Sequence, residues 1–145
     1  MYSEKKINHY FSLSHNACSF SDNEKTKLGC VLIYRGIPLT VGWNTKDKEH
    51  PIQKELNAFR KYNEGCKGKK HDPLHAEMMA MIKAKDLDVD FGKVSLFVSR
   101  VKKDGSIGMA KPCPACMEMI KRLGIKNIYY TTDGGWGYEK IEREN

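Results

Sequence analysis

No apolar stretch in the sequence approaches the roughly 20 residues of a membrane-spanning helix, and the opening MYSEKKINHY lacks the apolar centre of a secretory leader. Cysteine is sparse: five among 145 residues is an odd count, far from the density of a disulfide-stapled scaffold. Internal repeats and low-complexity tracts are also missing, which excludes solenoids and compositional linkers. These absences lead to the expectation of a cytoplasmic protein with no membrane association. What is present is globular. With 40% hydrophobic and 30% charged residues, a chain of this length is expected to form one domain over residues 1–145 around one core. Lys and Arg outnumber Asp and Glu by 25 to 18, and the net charge of +7 favours an anionic, phosphate-bearing partner.

Helix and strand signals alternate along the chain. Ile7, Tyr10, Phe11, Ala17 and Cys18 recur at helical spacing after a possible Ser3 cap, and residues 28–34 (LGCVLIY) form a short run of strand formers. Residues 35–38 (RGIP) read as a tight turn, and 38–43 (PLTVGW) as the second strand of a hairpin. Residues 44–73 make a long basic connection, in which Ile52, Leu56, Phe59 and Tyr62 trace a helical face after Pro51. Asp72 and Pro73 look like a helix start, 93–101 a strand, and 113–123 a helix that Gly124 stops. Residues 125–132 are the last clear strand, leaving 133–145 as a short tail. This order predicts an α/β fold of three layers, with a mixed sheet of four to five strands between helices. In such sheets, sites gather at the carboxyl ends of the strands.

Two motifs carry chemistry. Cys113 and Cys116 stand three apart, about 300° round a helix, so both sulfurs can face one atom. A helix N-terminus favours their thiolates, which suit zinc, and His75 can supply a third ligand through a ring nitrogen. Three protein ligands leave one position for water, the arrangement of a catalytic rather than a structural ion. Glu77 lies about 200° from His75 on an ideal helix, so it is better placed to reach over the open position than to ligate. Two thiolates cancel the formal charge of Zn²⁺ and leave more of the proton transfer to a base, for which Glu77 is the candidate. The methionines at 78, 79 and 81 read as core packing, and Cys18 and Cys30 as buried filler. One of Tyr129 and Tyr130 should pack and the other border a pocket, while Trp136, in a glycine-rich setting, could lid a small pocket or stack a base.

At these residues the sequence resembles the zinc-dependent cytidine and deoxycytidylate deaminase superfamily: HAE at 75–77 with PCPAC at 112–116 matches H-x-E with P-C-x-x-C. Residues 28–44 resemble the family's opening hairpin and 124–132 its strand after the cysteine helix. The resemblance implies a cytidine-deaminase-like fold and a zinc hydrolase in which Glu77 moves protons and ammonia leaves. It also implies that Asn44 contacts the sugar and that the N–H of Ala76 helps hold the base. The expected partner is a small pyrimidine nucleotide or nucleoside such as dCMP or CMP, in a homo-oligomer, with the phosphate met by cations of residues 44–73, among them Lys67, Lys69 and Lys70. Two other readings stay open. One is a deaminase of cytosine or adenine within single-stranded DNA or RNA. The other is a non-catalytic zinc-stabilised module, for which Cys66 or His71 would be the further ligand. Redox use of the C-x-x-C would leave His75 and Glu77 without a role.

Overall fold

Local signals set the first half of the chain. Ser3 caps helix α1 (Glu4–Ala17) by accepting from the Lys6 N–H, with Glu4 in the first turn and His15 in the last, each matching the helix dipole. Strands β1 (Thr26–Tyr34) and β2 (Ile37–Trp43) are joined by Arg35 and Gly36 at φ 52° and 78°. Two consecutive positive φ values are the hairpin turn whose twist matches that of the strands. A register shift between Leu32 and Ile33 lies opposite Pro38, on an edge strand where the missing N–H removes no ladder bond. The computed structural model describes residues 2–60 and 72–142.

The sheet runs β2-β1-β3-β5-β6, with β3 at Val94–Lys102, β5 at Asn127–Thr132 and β6 at Gly135–Lys140; the two-residue β4 (Ile107–Gly108) pairs with β3. Pairing is antiparallel except between β3 and β5, which are joined through helix α4 (Pro114–Leu123). A helical crossover between parallel neighbours is the expected pairing. The tail expected over 133–145 is corrected: β6 pairs with β5 from Asn127↔Lys140 to Thr132↔Gly135. Glycine had concealed the strand. Gly137 faces the Tyr130 ring, and a Cβ there would lie 2.8 Å from it, so the residue that weakens the strand signal is the one the ring requires.

Helices cover both faces. Under α1, Ile7, Tyr10, Val31 and Ile33 pack with Phe97, which stacks on Tyr129 at 4.4 Å between ring centroids. On the other face lie α2 (Pro51–Leu56), α3 (Ala76–Ala84) and α4, whose buried Leu56, Met78, Met81 and Ile120 meet Leu32, Leu96 and Ile128. The three methionines are therefore core, and Cys18 and Cys30 are buried as expected. Leu56 is buried, but Phe59, in the 3₁₀ turn Asn57–Arg60, is exposed beside the Arg122 guanidinium; Tyr62 lies outside the described residues. Trp136 contacts Phe11 and Tyr129 on the α1 face. Among the described residues no helix is long and apolar enough to cross a membrane.

The helices touch the sheet through glycine. A Cβ at Gly42 would lie 2.2 Å from the Ala76 carbonyl oxygen, and one at Gly29 would lie 2.1 Å from that of Ser14. Backbone cannot yield as a side chain end can. Gly42→Ala is expected to cost about 3 kcal/mol, the upper end of overpacking, in urea unfolding. A cost near zero would show that α3 does not ride on β2 this closely.

Candidate active site

Two helix starts meet at the carboxyl ends of β2 and β3. His75 is the N-cap of α3, with extended backbone (φ −80°, ψ 156°), and its carbonyl accepts from the Met79 N–H at 2.9 Å. Cys113 is the N-cap of α4 (φ −70°, ψ 166°), accepting from Met117 at 2.9 Å, and Pro114 follows at the position where a missing N–H removes no bond. The helix start expected at Asp72 and Pro73 is thereby corrected to Ala76, because Pro73 is engaged in a bridge with Glu49. His75 thus lies off the helical cylinder, and the 200° separation from Glu77 does not apply. The cysteines likewise divide between a cap and the first turn.

His75 Nδ1 lies 3.5 Å from the Sγ of Cys113 and 3.5 Å from that of Cys116. One ring nitrogen thus faces two sulfurs at equal distance, three donor atoms around one point. A tetrahedral ion at ordinary Zn–N and Zn–S lengths sets N and S about 3.6 Å apart. The donor set fits zinc. Among the described residues this is the group of three such side chains whose ligand atoms lie within 4.8 Å of one another. Cys66 and His71, the further ligands of the binding-module reading, lie outside the described residues.

The electrostatics show where positive charge is wanted. A hydrogen bond from Cys116 and the neighbouring His75 hold Cys113 down at about 3, while Cys116, bonded to Cys113 and buried, is pushed well up. The pair shares one proton that a cation would displace. Glu77, 3% exposed, is raised from 4.5 to about 7 by burial, opposed by His75 and reinforced by Cys113. Its carboxyl changes protonation near neutrality, as a proton carrier must.

Ala76 stands at the first helical position, where the N–H has no intrahelical acceptor. Asn44 has a structural task that sequence reasoning missed. Its Oδ1 accepts from Ser21 Oγ at 2.7 Å and the Leu28 N–H at 2.8 Å, and its Nδ2 donates to the Thr26 carbonyl at 3.0 Å. One Nδ2 hydrogen remains for a ligand, so Asn44→Ala would loosen the β1–β2 junction as well as any substrate contact. Trp136, expected as a possible lid, is on the opposite face of the sheet. Tyr130 packs towards the α4 face, and Lys67, Lys69 and Lys70 lie outside the described residues. Arg60 was not singled out for a contact with the metal ligand; its Nη1 is 3.5 Å from His75 Nε2, bringing positive charge to the ring's far side. Gln53 was also missed: its Oε1 accepts from the His75 N–H at 3.1 Å. Its only sequence signal is an amide at i, i+4 from Asn57, on the side of the turn that also carries Leu56. A concavity of about 690 Å³ opens at the amino ends of β3 and β5, lined by Asp90, Phe91, Lys121, Lys126 and Lys140, away from these ligands.

Comparison with known proteins agrees with this geometry. The family model of the cytidine and deoxycytidylate deaminase zinc-binding region matches residues 4–132, and the chain belongs to that family. The dCMP deaminase from the cyanophage S-TIM5, in apo form, is 26% identical with a TM-score of 0.61, over 91% of this chain and 86% of that one. The same enzyme in complex with dCMP and dUMP aligns at 21% identity and a TM-score of 0.60, over 91% and 85%. Cytidine deaminase from Burkholderia pseudomallei shares the fold at 14% identity and a TM-score of 0.61, over 92% and 91%. No curated protein sequence matches the chain.

The buried Glu77 gives a pH prediction for the metal-free chain. Its folded pKa of about 7 exceeds the ordinary 4.5, so between these values the folded state holds the extra proton and stability falls as pH rises. The loss approaches about 3 kcal/mol above pH 7. Metal-free Glu77→Gln is therefore expected to melt above the metal-free parent at pH 8, with the gap closing towards pH 4.5. Parallel melting curves at both pH values would remove Glu77 as the buried acid.

Proposed function

We propose that this protein is a zinc-dependent hydrolytic deaminase of a free cytosine nucleotide or nucleoside, releasing ammonia and leaving the uracil form. The observation that carries the reading is the convergence of His75, Cys113 and Cys116 with the buried carboxyl of Glu77 beside them. When bound by these three side chains, the zinc would activate a water towards the ring carbon that bears the amine. Glu77 takes a proton at its carboxylate and hands it to the departing amine, so water and the C–NH₂ group become C=O and NH₃. Burial supports this task by keeping the carboxyl out of bulk water, beside the ligand set. In this reading the N–H of Ala76, at the first helical position, holds the base, and the second amide hydrogen of Asn44 meets the sugar.

The likeness to a dCMP deaminase at 26% identity supports a phosphorylated substrate. A polymer substrate loses the base-stacking Trp136 that favoured it, since that ring packs against α1. A homo-oligomer and residence in the cytoplasm are part of the proposal.

Metal analysis and ammonia release test the reading together. The parent is expected to hold one zinc per chain, and the Cys113→Ser, Cys116→Ser double variant none. Glu77→Gln should keep zinc and lose about 10² to 10⁴ in rate; activity within a fewfold of the parent would refute the proton role. Among dCMP, CMP, cytidine and a cytosine-containing single strand, the mononucleotides should react fastest. Reaction of the oligonucleotide alone, with a steep salt dependence, would move the assignment to nucleic acid.

A further inference from the structure

The N-cap of α3 lacks one of its usual partners. In a capping box, the residue at N3 reaches back to the N–H of the cap, but here N3 is Met78, which has no such acceptor. Gln53, on a different helix, takes that place by accepting the His75 N–H at 3.1 Å, and its side chain is fully buried. An amide can be turned either way, and only one orientation presents oxygen to His75. What fixes it lies further along. Gln53 Nε2 donates to Asn57 Oδ1 at 2.7 Å, and Asn57 Nδ2 donates to Asp72 Oδ1 at 2.7 Å. An ionised carboxylate only accepts, so Asp72 sets the direction of both amides. Asp72 is itself held through its N–H by Glu49 at 2.9 Å.

We propose that Asp72, Asn57 and Gln53 are a directional hydrogen-bond chain that positions the metal ligand His75, so that zinc affinity is set in part from α2. These are positioning residues: none contacts the reacting atoms. Among the described residues the segment before His75 is also held through its backbone, Leu74 N–H to the Lys48 carbonyl at 2.8 Å and Thr45 N–H to the Leu74 carbonyl at 3.1 Å. Gln53 is the side chain that accepts from the backbone N–H of His75 itself. Its loss leaves a part-buried N–H without this acceptor at the residue whose backbone aims Nδ1 at the sulfurs.

The inference rests on the zinc reading above, and the experiment separates the two. Zinc affinity is measured by competition with a chelator on the full chain, beside the melting temperature of each metal-free variant. Gln53→Met keeps the volume and is expected to bind zinc about 10- to 100-fold more weakly. Ser14→Ala, which removes the Ser14–Ser99 bond under α1, should lower the melting temperature and leave zinc affinity within twofold. Asn57→Asp sets a second carboxylate against Asp72, and their repulsion should pull the link to Gln53 apart and weaken zinc. Adding Asp72→Asn lets the carboxylate at 57 accept from both Gln53 Nε2 and the amide at 72, still turning the Gln53 oxygen to His75, and should recover affinity to within about threefold of the parent. If Gln53→Met does not fold, the Asn57 and Asp72 variants decide. Parent-like zinc affinity in Gln53→Met, or in Asn57→Asp, overturns the chain, as does a double variant no better than Asn57→Asp. A parent that does not bind zinc removes the reading and the inference together.

Discussion

Two helices must begin within a few ångströms of each other, pointing their unsatisfied N–H groups at one spot, and most of the fold serves that requirement. The starts of α3 and α4 belong to separate crossovers, each leaving a strand at the same end of the sheet. Their approach is permitted by small residues: Ala76, Ala80 and Ala115 are wholly buried, and Gly42 lets α3 rest on the backbone of β2. Larger residues at these positions would push the helices outwards. Since the donor atoms must meet to within tenths of an ångström, sub-ångström shifts in packing pass directly to the metal ligands.

Concentrating so many acidic groups in a dry place is expensive, and the arrangement shows how the cost is limited. Cys113 and Cys116 share a proton, and the Glu77 carboxyl is pushed up to about 7, so the metal-free site carries one thiolate and a carboxyl that is part protonated rather than three anions. A divalent cation reverses that logic by making both thiolates favourable. The positive ends of two helix dipoles and the nearby Arg60 guanidinium act in the same direction. Binding the ion therefore also contributes to folding, because the unfolded chain has no such preformed set of donors.

The meeting of His75, Cys113 and Cys116 was legible in the sequence because its chemistry is local: His75 with Glu77, and Cys113 with Cys116, are short spacings that only a few structures satisfy. The mixed sheet between helices followed from the alternation of helices and strands. Three other features were not legible, each for a physical reason. The strand at Gly135–Lys140 was hidden because Gly137 is demanded by the Tyr130 ring, a neighbour eight residues or fewer away in sequence but known only from register. The start of α3 was misplaced because Pro73 suits a helix start as well as the bridge it makes with Glu49. Gln53 was invisible because an amide on a helix reads as surface until the segment packed over it is known.

The distribution of aromatic rings bears on substrate size. A polymer groove needs several exposed rings lined up along a basic path that passes the reactive centre. Trp136 contacts Phe11 and Tyr129 across the sheet from the ligands, and Phe20 packs against Trp43, whose ring also carries Lys83 at 4.5 Å. Among the described residues Phe59, next to Arg60, is the exposed ring nearest His75 in sequence, and the Arg122 guanidinium lies over its face at 5.8 Å. One ring already facing a cation can border a single base, but it does not continue into a track. Among the described residues, therefore, the exposed rings do not line up along a basic path past His75, Cys113 and Cys116.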